Sequence, residues 1–381
     1  MSLRLPIHAL APVIALVLLA GSALLEGSVV TGQMVTTGGE PSLHHLSYRD
    51  VTLKQYAAPV GVSWRWHRVR IDANTALARA TLHVNDQDQA LTGLTDITVR
   101  TTVPVLSDRA RIVFAANLPS GRETVDTLQM HLAAALATDI FTLPIASFGS
   151  GFGVTGGLAF AQPVGTWVLG LAASYRMGAA YQPISETRPG QPTEFRPGGE
   201  RRFRLALENP QRTGRAARFA LSWSQYAPDE IDQRESFLHP GDRLLAEALM
   251  ERPLGTGSSV TYGWAMFRAR GQVTNPAYAA TGAAARRLSL GGGTKLFLPL
   301  GPAYSLRPTA ELLAQWTDSS TITAPSDGVL LRLGSGIAIR TGQLVLEPAA
   351  LLQMGVFRHD TAMITGLIIR GGVAWAPPRG N

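Results

Sequence analysis

The chain of 381 residues contains no cysteine, so no disulfide can brace it. Its fold must hold by burial and hydrogen bonding alone. Lysine is nearly missing too: Lys54 and Lys295 are the only two, and arginine carries almost all of the formal +7 charge. Charged residues make up 16% of the chain, well below the roughly 25% of ordinary soluble domains. Beyond the N-terminal leader no apolar run approaches the roughly 20 residues that a spanning helix needs. A weakly charged, apolar chain without spanning helices must bury much of itself or present strands to lipid. Nucleic acid, the usual partner of a basic chain, is set aside, because the arginines stand singly with no basic run flanked by aromatics. Catalytic and metal-binding patterns are missing as well. None of the eight histidines forms H-E-x-x-H, and no G-x-S-x-G elbow exists.

Residues 1–27 read as a cleaved signal peptide. Arg4 supplies the positive start, residues 9–20 are apolar, and Ala20-Gly-Ser-Ala23 offers small residues for cleavage. Residues 28–59 form an N-terminal segment expected to contribute a first strand, 60–375 a single domain, and 376–381 a periplasmic tail. One motif tests the alternative of a dinucleotide-binding fold. Gly151-Phe-Gly153-Val-Thr-Gly156 matches G-x-G-x-x-G. It lacks the buried strand before it, the helix after it and the acid about 20 residues on. Gly151, Gly153 and Gly157 are instead assigned to a strand in which small residues suit a crowded inner face.

The stretch after those glycines alternates with period two. Trp167, Leu169, Leu171, Ala173, Tyr175 and Met177 fall on one face, and Val168, Gly170, Ala172, Ser174 and Arg176 on the other. A strand crossing a bilayer needs about 9–11 residues with an apolar lipid face and aromatics at both interfaces. The pattern recurs at 215–226, 260–266, 288–298, 304–316, 329–339, 344–356 and 363–375. Short joints near 104–108, 163–165, 209–214, 253–257, 299–302 and 341–342 alternate with longer ones at 85–90, 119–149, 182–199, 228–240, 272–284 and 318–327. Short turns on one side and long loops on the other are the habit of outer-membrane barrels. The fold class expected is all-β, a single transmembrane antiparallel β-barrel of about 14 strands (range 12–16), in the cell outer membrane.

Two short motifs add a resemblance. Leu91-Thr-Gly93-Leu-Thr-Asp96-Ile-Thr-Val99 resembles the "GLGD" strand of the outer-membrane transporters of the MetA pathway of phenol degradation. Ala115-Ala-Asn-Leu118-Pro-Ser-Gly121 is similar to that family's "LPTG" strand exit, with Thr95 departing from the pattern where a second glycine would stand. The likeness covers residues 60–181. It implies an outer-membrane barrel that takes up small aromatic or apolar compounds, and it transfers no catalytic residue.

The alternation assigns Arg111, Arg176, Arg204, Glu208, Arg218, Lys295, Arg307, Glu311, Arg332, Arg340, Glu347 and Arg370 to the lumen, nine cations against three acids. Such a set reads either as an anion-favouring pore or as a paired ladder filling the interior, with Arg332 meeting Glu347. Trp167, Tyr175, Trp223, Tyr262, Trp264, Tyr304, Trp316 and Trp375 are assigned to lipid-facing aromatic girdles. His44-His45 reads as a solvated turn, and 85–89 (NDQDQ) as a solvated loop rather than a calcium loop, because it lacks the turn glycine and distal glutamate. Residues 127–137 read as a short helix, with Leu128, Leu132 and Leu136 at spacing four, that either folds into the barrel mouth or stands outward as a cap.

The function expected is passive passage or uptake of small molecules. The alternatives are a closed structural or surface-interaction barrel and, further off, an outer-membrane hydrolase. Expected partners are outer-membrane lipid, the barrel-assembly machinery that inserts such barrels, and a small-molecule substrate. No cofactor, metal or catalytic residue is assigned.

Overall fold

A computed structural model describes residues 32–38, 40–126, 129–185, 194–210, 215–231, 234–235, 238–273, 285–318, 327–342, 344–357 and 362–375. The expected signal peptide and C-terminal tail lie outside them. The first strands are β1 (Gly32–Gly38), β2 (Ser42–Tyr48), β3 (Val51–Trp66) and β4 (Val69–Val84). Next come β5 (Gln87–Leu94), β6 (Ile97–Val105) and β7 (Ala110–Leu118). After a long inserted segment the chain continues as β8 (Gly153–Val164), β9 (Trp167–Gly178), β10 (Glu200–Pro210) and β11 (Ala216–Tyr226). β12 (Arg243–Leu254), β13 (Gly257–Arg268), β14 (Arg287–Pro299) and β15 (Tyr304–Thr317) come next. β16 (Gly328–Thr341), β17 (Leu344–Phe357) and β18 (Met363–Trp375) complete the wall.

From β2 onward neighbouring wall strands pair antiparallel, and β18 pairs back onto β2, from Ser42 opposite Arg370 to Tyr48 opposite Ile364. The ring is closed. β5 and β6 run one after the other along the edge of β4 and act as one strand, interrupted at Thr95-Asp96. There Thr95 turns onto Ala76, which donates its N–H to Thr95 Oγ1 at 2.9 Å. β1 pairs only with β3 and stands outside the ring. Sixteen strands therefore close the barrel, with β1 added, where about 14 were expected. The expected count of about 14 covers the wall from β4 onward, and the two strands beyond it are β2 and β3, which carry apolar residues on both faces.

Because the side-chain period is two, directly opposed residues share a face. The register thus carries one face around the whole ring. Trp223 opposes Phe203, Phe203 opposes Ala173, and Ala173 opposes Leu158. This face is open to the medium: Leu158 is 63% exposed, Leu352 59% and Leu312 53%. So broad an apolar exterior is unstable in water. A closed cylinder with no unpaired edge is the form in which strands are stable in hydrocarbon. The protein is a transmembrane β-barrel of the outer membrane.

Connections sort as expected between the two ends. Gly165, Gly255 and Gly342 hold left-handed backbone (φ 61°, 57° and 61°) in tight turns at one end. The other end carries the long segments after β7, β9, β11, β13 and β15. The stretch 85–90 is a correction. Asn85-Asp86, both with positive φ, make a two-residue hairpin turn, and the ladder resumes at Gln87. His44-His45 is another: both lie in β2, with His44 buried on the inner face beside Gln55 and His45 on the outer face.

Candidate functional site: the barrel interior

The chain between β7 and β8 folds into the barrel. It contains helix α1 (Met130–Leu136) and a 3-10 turn at Asp139–Phe141. Seven residues are too few for a helix to stand alone in water, so packing holds it. Leu132 and Leu136, four apart, share its buried side, while Leu128 lies outside the described residues. They pack with Ile140, Phe141 and Phe148 against inward side chains of the wall: Leu46 of β2, Leu53 of β3, Ala80 of β4, Leu330 of β16 and Ile364 of β18. Phe141 sits beside Tyr48 and Phe357, whose rings meet edge to face at 5.3 Å. These wall residues are almost wholly buried, Leu46, Ala80, Leu330 and Ile364 at 0%. The helix therefore folds into the barrel mouth and caps nothing outside.

Polar bonds fix the segment where its backbone would otherwise be stranded among apolar groups. Gln55 Nε2 donates to Ile145 O at 2.6 Å, and its Oε1 accepts from Ile145 N at 3.1 Å. Arg332 donates to Phe141 O at 2.7 Å and to Gln353 Oε1 at 2.7 Å, and it pairs with Glu311 at 3.4 Å. Arg287 pairs with Asp139 at 2.6 Å. Gln129 donates to Ala90 O, and Leu132 N to Gln89 Oε1, so Gln89, expected in a solvated loop, anchors α1 instead. At its root Asp96 accepts from Gly121 N (3.0 Å), Ser150 N (2.8 Å) and Asn117 Nδ2 (2.8 Å). The two short sequence motifs around Asp96 and Gly121 are thereby bonded to each other.

Further out, the segment is stitched to the loop after β9. Val125 N donates to Pro183 O and Ser185 N to Val125 O. Gly151 is not in β8. It precedes the strand with φ +74°, packed on the ring of Tyr181, while Gly153 and Gly157 are in β8 as expected. Burial, helped by the carboxylates of Asp229, Glu123 and Asp96, raises the Tyr181 phenol above its ordinary range, so it stays neutral.

The register puts all twelve charged candidates on the face opposite the leucines. They differ in partners. Arg307 pairs with Glu347 at 2.6 Å, Arg332 with Glu311, and Arg204 with Glu247 at 2.7 Å. The expected pair of Arg332 with Glu347 does not form, because Arg332 stands opposite Glu311 and Gln353 in the ladder. Arg111, Arg176, Arg218, Lys295, Arg340 and Arg370 have no carboxylate within salt-bridge distance among the described residues, and Glu208 has no cation. Sequence reasoning missed Glu200, which takes Arg202 at 2.7 Å and Arg243 at 3.5 Å, and Glu247. The alternation of β12 puts its Arg243 and Glu247 on one face, a signal that was there to be read.

The aromatic assignments divide. Tyr175, Trp223, Tyr304 and Trp316 are exposed on the outer face, and Trp167 lies beside Phe219 there. Trp375 stands opposite Leu344 in the register. Tyr262 and Trp264 are corrections, for they face inward. Tyr262 donates to Glu311 Oε1 at 2.6 Å, and Trp264 packs against the apolar core. Gly291 makes the room: a Cβ there would collide with the Trp264 indole. The outer residues of β13 include Gly263 and Ala265, small groups that disguise the lipid face until Phe267. Trp64 and Trp66 of β3, stacked at 6.4 Å and opposing Ile71 and Val69 on the outer face, are further girdle members outside the assigned set.

No protein-family model and no curated protein matches the chain. Solved outer-membrane proteins are among the structures to which it is similar. OprB of Pseudomonas putida aligns over 88% of this chain and 91% of its own, at 9% identity and a TM-score of 0.45. OccK11 (OpdR) of Pseudomonas aeruginosa covers 89% and 94%, at 11% identity and 0.45. OmpT, an outer membrane protein of Vibrio cholerae, covers 90% and 98%, at 9% identity and 0.43. The likeness is one of barrel architecture and extends no further.

Proposed function

We propose that the protein is a passive outer-membrane channel for small molecules. The observation that carries this reading is the uneven filling of the barrel. The inner segment seals the sector formed by β2–β5 and β15–β18, where wall leucines are fully buried. Across from it, inward-facing Arg111, Arg176 and Arg218 remain exposed, and the side chain of Glu247 keeps 40% of its surface. Long polar side chains reach solvent inside a barrel only where water fills the space. The segment narrows the lumen to one side of the cylinder.

The resemblance at Asp96 and Gly121 further suggests aromatic or apolar compounds as the cargo. Planar-bilayer recording of the purified chain tests the reading. Stepwise conductance in potassium chloride is expected. A correctly folded protein that inserts without raising the current above background would make it a closed barrel whose long loops serve as its working surface.

A further inference from the structure

The geometry points to a pore that selects anions, and among them small organic anions with an apolar body. This inference rests on the channel reading and concerns what that channel passes. Its basis is the imbalance left after pairing. Among the described residues, Glu311 and Glu347 are neutralised by Arg332 and Arg307, while six of the inward cations keep no carboxylate, against Glu208 and Glu251 as inward acids left without a cation. Arg111, Arg176 and Arg218 are exposed, and Lys295, Arg340 and Arg370 are half-buried, so water and solutes reach all six. Uncompensated guanidinium and ammonium groups in a narrow, low-dielectric wall concentrate anions and repel cations.

One place in the wall adds an apolar contact to that field. Phe297 of β14 faces inward between two cations, with Lys295 Nζ at 5.5 Å and Arg307 Cζ at 5.2 Å from its ring centroid. Lys295 has no acid partner among the described residues, and Arg307 holds Glu347. An anionic head group meets Lys295 while an aliphatic or aromatic body lies on the half-buried Phe297 ring. A purely inorganic anion uses the charge alone.

The test uses the full-length protein in planar bilayers under a potassium chloride gradient. The reversal potential gives the chloride-to-potassium permeability ratio, and acetate or hexanoate is then added at equal concentration to measure how far each reduces the chloride current. Expected are a ratio above one and a stronger block by hexanoate. The triple substitution Lys295→Gln, Arg340→Gln, Arg370→Gln should cut the ratio by roughly threefold or more. Lys295→Gln alone, which breaks no salt bridge, should lower it in the same direction. Arg79→Gln, which removes a charge from the outer wall, should leave it unchanged, and Phe297→Ala should abolish the preference for hexanoate over acetate. A conducting pore that prefers potassium, or whose ratio ignores the inner substitutions, overturns the selectivity while leaving the channel standing. Equal block by acetate and hexanoate overturns the apolar-body assignment. A folded, inserted protein with no conductance overturns both the inference and the channel.

Discussion

Arg332 shows how much of this interior depends on single side chains. It is 3% exposed and serves three acceptors on three elements: Gln353 on β17, Glu311 on β15 and the Phe141 carbonyl of the inner segment. Removing one partner of a buried ion pair typically costs about 3–5 kcal/mol, because the other charge is stranded. Arg332→Met should therefore lower the temperature at which the barrel unfolds in detergent, as read by heat-shifted electrophoretic mobility. Glu311→Gln added to it should recover most of the loss. A double variant no better than the single would contradict the pairing. Asp96→Ala tests the root of the segment. It strands Gly121 N and Ser150 N at a cost of about 1–3 kcal/mol, and trypsin should then cut after Arg122 faster than in the parent. At this scale the charged residues were legible, since arginine and glutamate at alternate positions announce the inner face. Tyr262 and Trp264 were not, because an aromatic residue is as much at home over a glycine in a lumen as in a lipid girdle.

Elements were legible where the two faces of a strand meet different solvents. β9 and β11 have lipid on one side and water on the other, so their alternation is clean. β2 to β5 have lipid on one side and the inner segment on the other. Both faces can then be apolar: Leu46, Leu53, Ala78 and Leu82 point inward. The periodicity fades there for a physical reason, which is why the expected strand count was short. The helix itself was visible from its leucine spacing, but its destination was not, because the wall residues that receive it lie far away in the sequence on both sides. Replacing residues 122–147 with a short glycine-serine linker should leave the closed sheet able to form, since no wall strand pairs with that stretch. Single-channel conductance should rise at least severalfold as the sealed sector opens. An unchanged conductance in a folded variant would mean that the segment does not narrow the path.

On the scale of the whole molecule, the sorting of short and long connections was the most informative feature of the sequence, because it depends on topology and not on any one residue. The lipid-facing assignment makes a paired prediction on one strand. Leu312→Arg, on the outer face between Tyr304 and Trp316, should cost about 2–4 kcal/mol of folding stability in a bilayer. Thr309→Arg, three residues away on the inner face, should cost far less. Equal costs, measured by reversible urea unfolding in vesicles, would contradict the assignment.

The most direct measurement of which side is which uses single-tryptophan variants retaining only Trp223, Trp316 or Trp264, folded into vesicles whose acyl chains carry bromine. The account predicts strong quenching of Trp223 and Trp316, and emission from Trp264 close to that in unbrominated lipid. Quenching of Trp264 with sparing of the other two would show that the wall has been read inside out.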